Sequence, residues 1–511
     1  MEKRRRTILA AGLAAAAVLL CLVGCGRHPS ESPGQQVSWK KTVTVGTDGP
    51  LKTTDPQKIS NAAHDQLFQM MYNRLLHRNA ETGELEPELA REWEWADESL
   101  SVIRIRLRDD VYFHSGAKLT AADVAFTMDR ITNSTVKGSY DRCEVLGDYE
   151  LLIYLTGTNT DFPYHLAACT TSVVSKAAAE ADPEADACCG SGPWKYVPEE
   201  SAAGDHVTLV RFENSWQEKP VTEKMLLRYI GSDSARLMAL ENKEIDLAVT
   251  LSYQELEAAQ KNRDLDVQVY VGTGLNYLAF NTCSEAGGNE KLRRAVAYAL
   301  DREAMIRAVG DPAGEAAVSL FARGASAYRT DFETDMSCQP ERAASLAAEL
   351  GDDAAFRLTV NTTLQSYKTM AEVLQEQCRL AGIRVTLDEV DASGLTAASK
   401  FSSATHEALI YTIYLNEYNS DISRLLTPGI STNKAVLTDG EVLGLLEQGV
   451  TVGDAAAARD CYRKVQELVH DHCWYIPLFY GSGAVAWQKG TEGCIVADNA
   501  RHDFTYLRAA E

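Results

Sequence analysis

Catalytic signatures are missing from this sequence. It has no HExxH, no GxSxG, no P-loop and no GxGxxG following a strand pattern. Metalloprotease, serine-hydrolase, phosphate-loop and dinucleotide chemistry therefore have no residues to rest on. "CCGSGPW" (Cys188 to Trp194) holds glycine and serine without nucleophile-elbow spacing and reads as a turn leading into a strand. Positive charge is also scarce, with 50 Lys and Arg against 72 Asp and Glu and a formal net charge of −22. So acidic a body is repelled by nucleic acid and anionic lipid, which argues against a nucleic-acid function. CxxC pairs are absent, and twelve cysteines in 511 residues fall far below the density of a disulfide scaffold. The expectation is no enzyme, no cofactor and at most two bridges.

What is present begins at the N-terminus. "MEKRRR" is a basic opening, "TILAAGLAAAAVLLCLVG" is an uncharged apolar run, and Leu22-Val23-Gly24-Cys25 has the form of a bacterial lipobox. That order predicts a secretory signal over 1–24 and lipidation at Cys25. Losing the four bases and one acid of residues 1–24 takes the net charge from −22 to −25. Polar, Pro- and Gly-containing sequence follows, giving a flexible tether over 25–41 that lets acyl chains hold the protein at a membrane surface.

Beyond the tether, strand and helix patterns alternate without a repeat, which indicates an α/β protein. "KTVTVGT" reads as a strand. "SVIRIRLR" (Ser101 to Arg108) alternates strictly, with Ile103, Ile105 and Leu107 on one face and arginines on the other. "TAADVAFTMDRI" reads as a helix with Thr120 as N-cap and Asp123 three residues on. A helical stripe of Leu292, Val296, Ala299, Leu300 and Ile306 follows, then a helix ended by Gly382 and a strand through Ile383, Val385 and Leu387. The last long helix, "AAAARDCYRKVQELVH", turns Cys461, Tyr462, Val465, Leu468 and Val469 inward.

That helix runs into His470-Asp471-His472-Cys473, a run of metal-ligand residue types. On a helix His470 and Cys473 share a face and His472 does not; on a strand His470 and His472 share one. No regular element presents all three together, so no metal is expected. A Cys461–Cys473 bridge is excluded while both sit on one helix, where twelve residues rise about 18 Å. The histidines suit a helix C-terminus, and Pro477 is expected to mark the change of element.

Several phrases, in order, resemble the extracellular solute-binding proteins, family 5, of peptide- and nickel-type ABC importers. In "ELEPELAREWEWADESLSVIRIRLRDDVYFHSGAKLTAADVAFTMDR" the matching residues are Leu107-Arg108, Val111, Phe113-His114, Gly116, Leu119 to Ala121 and Asp123-Val124. "GSGPWKY", "RLMALENKEIDLAV" with Lys243 where the family has Gly, "LNYLAFNT…KLRRAVAYALDRE", "AGIRVTL" and "WYIPLFY" continue the series over roughly Val43 to Tyr480.

The resemblance implies a bilobal, periplasmic-binding-protein-like α/β fold, with mixed sheets flanked by helices and an extra domain in the N-terminal lobe. Lobe I would take residues 37–75, 190–275 and 480–511, the extra domain 76–189, and lobe II 276–479. It further implies a likeness to dipeptide- and oligopeptide-binding proteins, whose "W-x-x-D-Y" aspartate pairs with the ligand's amino group. Here "YLNEY" puts Tyr414, Glu417 and Tyr418 at those places, with Asp421 as the alternative acid. Tyr411, Asn281 and Tyr277 complete the candidate ligand contacts. The function implied is a monomeric, lipid-anchored, extracytoplasmic receptor that delivers short peptides to an ABC permease and its ATPase subunits. Nickel or a metal chelate on the same fold, and a surface sensor or enzyme, are the alternatives.

Overall fold

Strand-forming β-branched and aliphatic runs fall where the period-two patterns put them. The computed structural model describes residues 37–51, 53–58, 62–79, 84–132, 134–181, 189–311, 313–332, 335–415, 418–497 and 502–511. Its principal strands are β1 (Thr42–Thr47), β2 (Ala90–Trp95), β3 (Val102–Leu107), β4 (Tyr140–Gly147), β5 (Glu150–Leu155), β6 (Trp194–Tyr196) and β7 (His206–Arg211). They continue with β8 (Lys224–Tyr229), β9 (Leu247–Leu251), β10 (Leu265–Phe280), β11 (Ala355–Asn361), β12 (Arg384–Val390), β13 (Ala408–Tyr414) and β14 (Tyr475–Gln488).

One eleven-stranded sheet carries the body in the order β12-β11-β13-β10-β14-β9-β1-β8-β7-β6, with the short strand Glu315–Ala316 also pairing with β14. Each end of it contains a parallel trio: β9-β1-β8 on one side and β12-β11-β13 on the other. Between them β10 and β14 run antiparallel through both halves. Their register slips between Val271 and Leu275, where a Cβ on Gly272 would come within 3.3 Å of the Gly481 carbonyl oxygen. Glycine is what lets the two crossing strands approach there.

Helices cover both faces of each half. One face of the β10–β13 half packs Leu278, Phe280, Val296, Leu358 and Ile410; the other packs Tyr277, Leu409, Ile413, Tyr462 and Tyr475. The β1 half has its own pair of cores around Val45, Phe68 and Trp194, and around Leu240, Leu251 and Ala486. Burying each large aliphatic side chain contributes about 1.5–3 kcal/mol.

A separate four-stranded sheet, β2-β3-β5-β4, has an independent core of Ile103, Ile105, Leu107, Phe113, Val124 and Leu151. The arginine face of β3 is neutralised by acids, Arg104 to Glu150 at 2.7 Å and Arg106 to Glu92 at 3.0 Å. Asp123 closes the capping box by accepting from Thr120 N at 2.9 Å, and Gly116 takes φ +86°. His114 and the Gly190-Ser191-Gly192 turn form one knot, His114 N donating to Gly190 O at 2.8 Å and its Nε2 lying 2.9 Å from Gly192 O.

Three local expectations change. The stripe from Leu292 to Ile306 is two helices, Glu290–Ala299 and Arg302–Val309. Asp301 stops the first by capping the second, its carboxylate accepting from Ala304 N at 2.8 Å. Pro477 does not mark the change of element, because it lies inside β14. The change falls at Cys473, which takes a left-handed φ of +48° after the helix Ala455–His472. On that helix Leu468 is only half-buried, while Gln466 is buried. Its carboxamide oxygen accepts from Ser319 Oγ at 2.7 Å.

Candidate functional site

Parallel strands leave their C-terminal ends open to ligands, and in this sheet both trios point theirs at the β10–β14 crossing. β13 ends at Tyr414, opposite Gly274, and β9 ends at Leu251, opposite Ala484. The cleft is therefore framed by Asp48 after β1, Thr250 on β9 and Tyr414 at the tip of β13.

Arg236 builds the first wall. It is fully buried, and its guanidinium donates to Val249 O at 2.9 Å, Ile230 O at 2.6 Å and Thr250 O at 2.6 Å. Asp233 accepts from Arg236 at 2.5 Å and from Ser252 N at 3.1 Å. These bonds hold Thr250 in a left-handed conformation, φ +55°. Burial pushes the Asp48 carboxyl pKa upward, and the nearby Arg236 charge opposes it. Burial, then the Asp48 charge, raises the Tyr270 phenol to about 12.

The second wall holds the candidate tyrosines, but they diverge. Alternation along β13 puts Tyr411 and Tyr414 on opposite faces. Tyr414 is 69% exposed and packs its ring on Gly274. Tyr411 faces inward, with the buried Lys434 ammonium 4.8 Å from its ring centroid. Tyr277 is fully buried and sits edge-on to Tyr475 at 5.5 Å. Tyr418 lies beyond the strand, its ring 5.2 Å from His165 of the four-stranded-sheet domain. Asp421 is 5% exposed and pairs with Arg424 at 3.1 Å, while Arg424 also donates to Tyr414 O at 3.0 Å.

Asn281 lies apart from the candidate tyrosines. It follows the far end of β10, away from Tyr414, and its amide is consumed by His406 O at 2.8 Å and Cys283 N at 3.0 Å. Glu417 and Cys25 lie outside the described residues. Asp48, Arg236 and His165 were not read from the sequence. Asp48 directly follows "KTVTVGT" and was legible as a strand-end acid, whereas nothing in "SARLMAL" separates Arg236 from a surface arginine.

The His470–Cys473 run is dispersed among different partners. His470 stacks on Phe332 at 4.3 Å and meets Asp335 at 3.3 Å; His472 stacks on Trp474 at 4.6 Å and meets Glu290 at 2.9 Å. Burial raises the Cys473 thiol to about 11. Among the described residues no cluster of three His, Cys, Asp or Glu is placed to hold a metal, and the nine described cysteines are free thiols. A cavity of about 320 Å³, lined by Thr54, Met70, Tyr196, His206, Tyr229 and Phe504, lies within the β1 half and includes none of the candidate residues.

A two-half sheet with a cleft at its crossing strands and a separately cored insertion defines a solute-binding protein. The family model for bacterial extracellular solute-binding proteins, family 5, matches residues 84–427, and the chain belongs to that family. Its fold is the bilobal, periplasmic-binding-protein-like one, with the four-stranded sheet as extra domain. The chain is 25% identical to heme-binding protein A of Haemophilus influenzae over 95% of this chain and 96% of that one. It is 24% identical to the peptide transport periplasmic protein SapA of Salmonella typhimurium over 88% of each. Among solved structures it resembles the ABC transporter substrate-binding protein CtaP of Listeria monocytogenes, with TM-score 0.84, 22% identity and coverage of 93% and 100%. It also resembles DppA of Helicobacter pylori in complex with the peptide STSA, with TM-score 0.74, 19% identity and coverage of 92% and 98%. NikA of Brucella suis in complex with Fe(III)-EDTA gives TM-score 0.81, 22% identity and coverage of 92% and 100%. No described helix is long and apolar enough to cross a membrane.

Proposed function

We propose that the protein captures short peptides between its lobes and passes them to an ABC permease driven by ATPase subunits. The observation that carries this reading is the convergence of strand ends at the β10–β14 crossing, where Asp48 follows β1 and the exposed Tyr414 ends β13. A carboxylate in a partly desolvated cleft suits a peptide ammonium, and aromatic walls accept varied side chains. Peptide-handling relatives such as SapA and DppA support the same class of solute. Lobe I comprises 37–75, 190–275 and 480–511, the extra domain 76–189 and lobe II 276–479. Lipid at Cys25 and the tether over 25–41 hold the monomeric receptor at the outer face of the cell membrane.

The second reading, a metal chelate or haem, draws on NikA and heme-binding protein A. One experiment separates the two: thermal shift with a di- to pentapeptide mixture, with native mass spectrometry of whatever remains bound. Stabilisation by peptide and a peptide mass are expected. Stabilisation by haem or Fe(III)-EDTA alone, or by no peptide, overturns the peptide reading.

A further inference from the structure

We propose that Asp161 of the extra domain is a positioning residue that catches the 418–422 segment over the cleft, so that this domain sets how long a captured solute is retained. The inference rests on the reading that solute sits between the lobes.

The loop around Asp161, from Asn159 to His165, meets lobe II at three places. Thr160 donates its N–H to Val450 O at 3.0 Å and its hydroxyl to the same oxygen at 3.3 Å. Ser420 donates its N–H to Asp161 Oδ2 at 3.2 Å. The buried His165 ring meets the Tyr418 ring at 5.2 Å and 76°. Asp161 is itself fixed, its own N–H donating to Asn159 Oδ1 at 3.1 Å.

The caught segment carries the cleft chemistry. It is the short 3₁₀ turn Asn419–Ile422, which directly follows Tyr418 and contains Asp421. Asp421 binds Arg424, and Arg424 binds the carbonyl of Tyr414. A displacement of Ser420 therefore propagates through one turn to the tip of β13.

The tie has the energetics of a catch rather than a weld. Burial raises the carboxyl pKa of Asp161, and the bonds from Ser420 oppose that shift. A carboxylate desolvated to this degree regains hydration when the lobes part, which offsets much of the bond that is lost. Such a contact favours the lobes-together state modestly and still releases.

The test is amide hydrogen exchange on the full-length protein as purified, comparing wild type with Asp161→Ala and Ser420→Pro. In both variants peptides covering 418–426 and 449–453 are expected to exchange about tenfold faster, while the start of β13 (408–411) and β3 stay unchanged. Solute that co-purifies, followed by native mass spectrometry after dilution, is expected to leave about tenfold faster with an unchanged association rate. Equal exchange in wild type and Asp161→Ala overturns the proposal, as does faster exchange spread evenly through β13 and β3. Absence of any bound solute in wild type counts against the capture reading instead, and the exchange comparison still decides the role of Asp161.

Discussion

Two stretches of this chain carry similar polar chemistry and do different work. His470 to Cys473 satisfy themselves against close neighbours: Phe332, Asp335, Trp474 and Glu290. The Tyr418 to Asp421 stretch meets the segment that follows the four-stranded sheet, with His165 against Tyr418 and Asp161 bonded to Ser420. Residue type does not distinguish them. What distinguishes them is where the partners sit: those of His470 to Cys473 come from segments packed beside the eleven-stranded sheet, whereas His165 and Asp161 belong to the segment that follows the four-stranded sheet.

Acidification strains the His165 contact with Tyr418. Burial holds His165 and His114 at a pKa of about 4. Both lie below the ordinary histidine value, so the unfolded chain binds more protons between about pH 6.5 and 4. Stability is therefore present above pH 6.5 and is lost as pH falls toward 4, by up to about 3 kcal/mol for each histidine. Urea titrations at pH 7 and pH 4.5 check this, with His165→Phe expected to flatten the dependence. A stability that rises on acidification would break the argument.

Next comes the His470 stretch. Arg293 is buried and donates to His472 O at 2.7 Å and Gly287 O at 2.7 Å, closing the end of the helix Ala455–His472. Arg293→Met should cost about 2 kcal/mol by chemical denaturation, since two buried carbonyls lose a charged donor. Solute retention should not change. A shift in retention would mean that the His470 stretch also communicates with the cleft.

The smallest expected effect is a control remote from both stretches. Lys243 ends the helix Asp233–Glu241 at φ +61°, a conformation that costs an L-residue about 1 kcal/mol relative to glycine. Lys243→Gly should raise the unfolding free energy by roughly that much, readable as a small rise in Tm. No rise would indicate that the lysine stem recovers the strain through packing.

Much of the local structure was legible in sequence. The capping box at Thr120 and Asp123, the turn at Gly116, the helix stop at Gly382 and the inward face of β3 all depend on residues within a few positions of one another. Misreadings arose where distant partners intervene. Gln377 receives Asp301 N at 3.1 Å and donates to Asp301 O at 3.0 Å, pinning the break between two helices. Pro477 is tolerated in β14 beside the register slip at Asn276 and Tyr277. Asn281 has the polarity of a ligand contact, yet its amide bonds at the far end of the sheet.

By itself the sequence determined the family phrases, the alternation of strand and helix, the caps and turns, and a segment near Tyr414 with the chemistry to meet an ammonium. Those features follow from periodicity and short-range sterics, which act through neighbours in the chain. Only the tertiary structure decided which acids and aromatics face the cleft. Asp48, Arg236, Asp161 and His165 come from segments far apart in sequence, and the partners that orient Arg236, Asp161 and His165 lie on other elements. Periodicity assigns a side chain to a face of its own element; packing decides what that face meets.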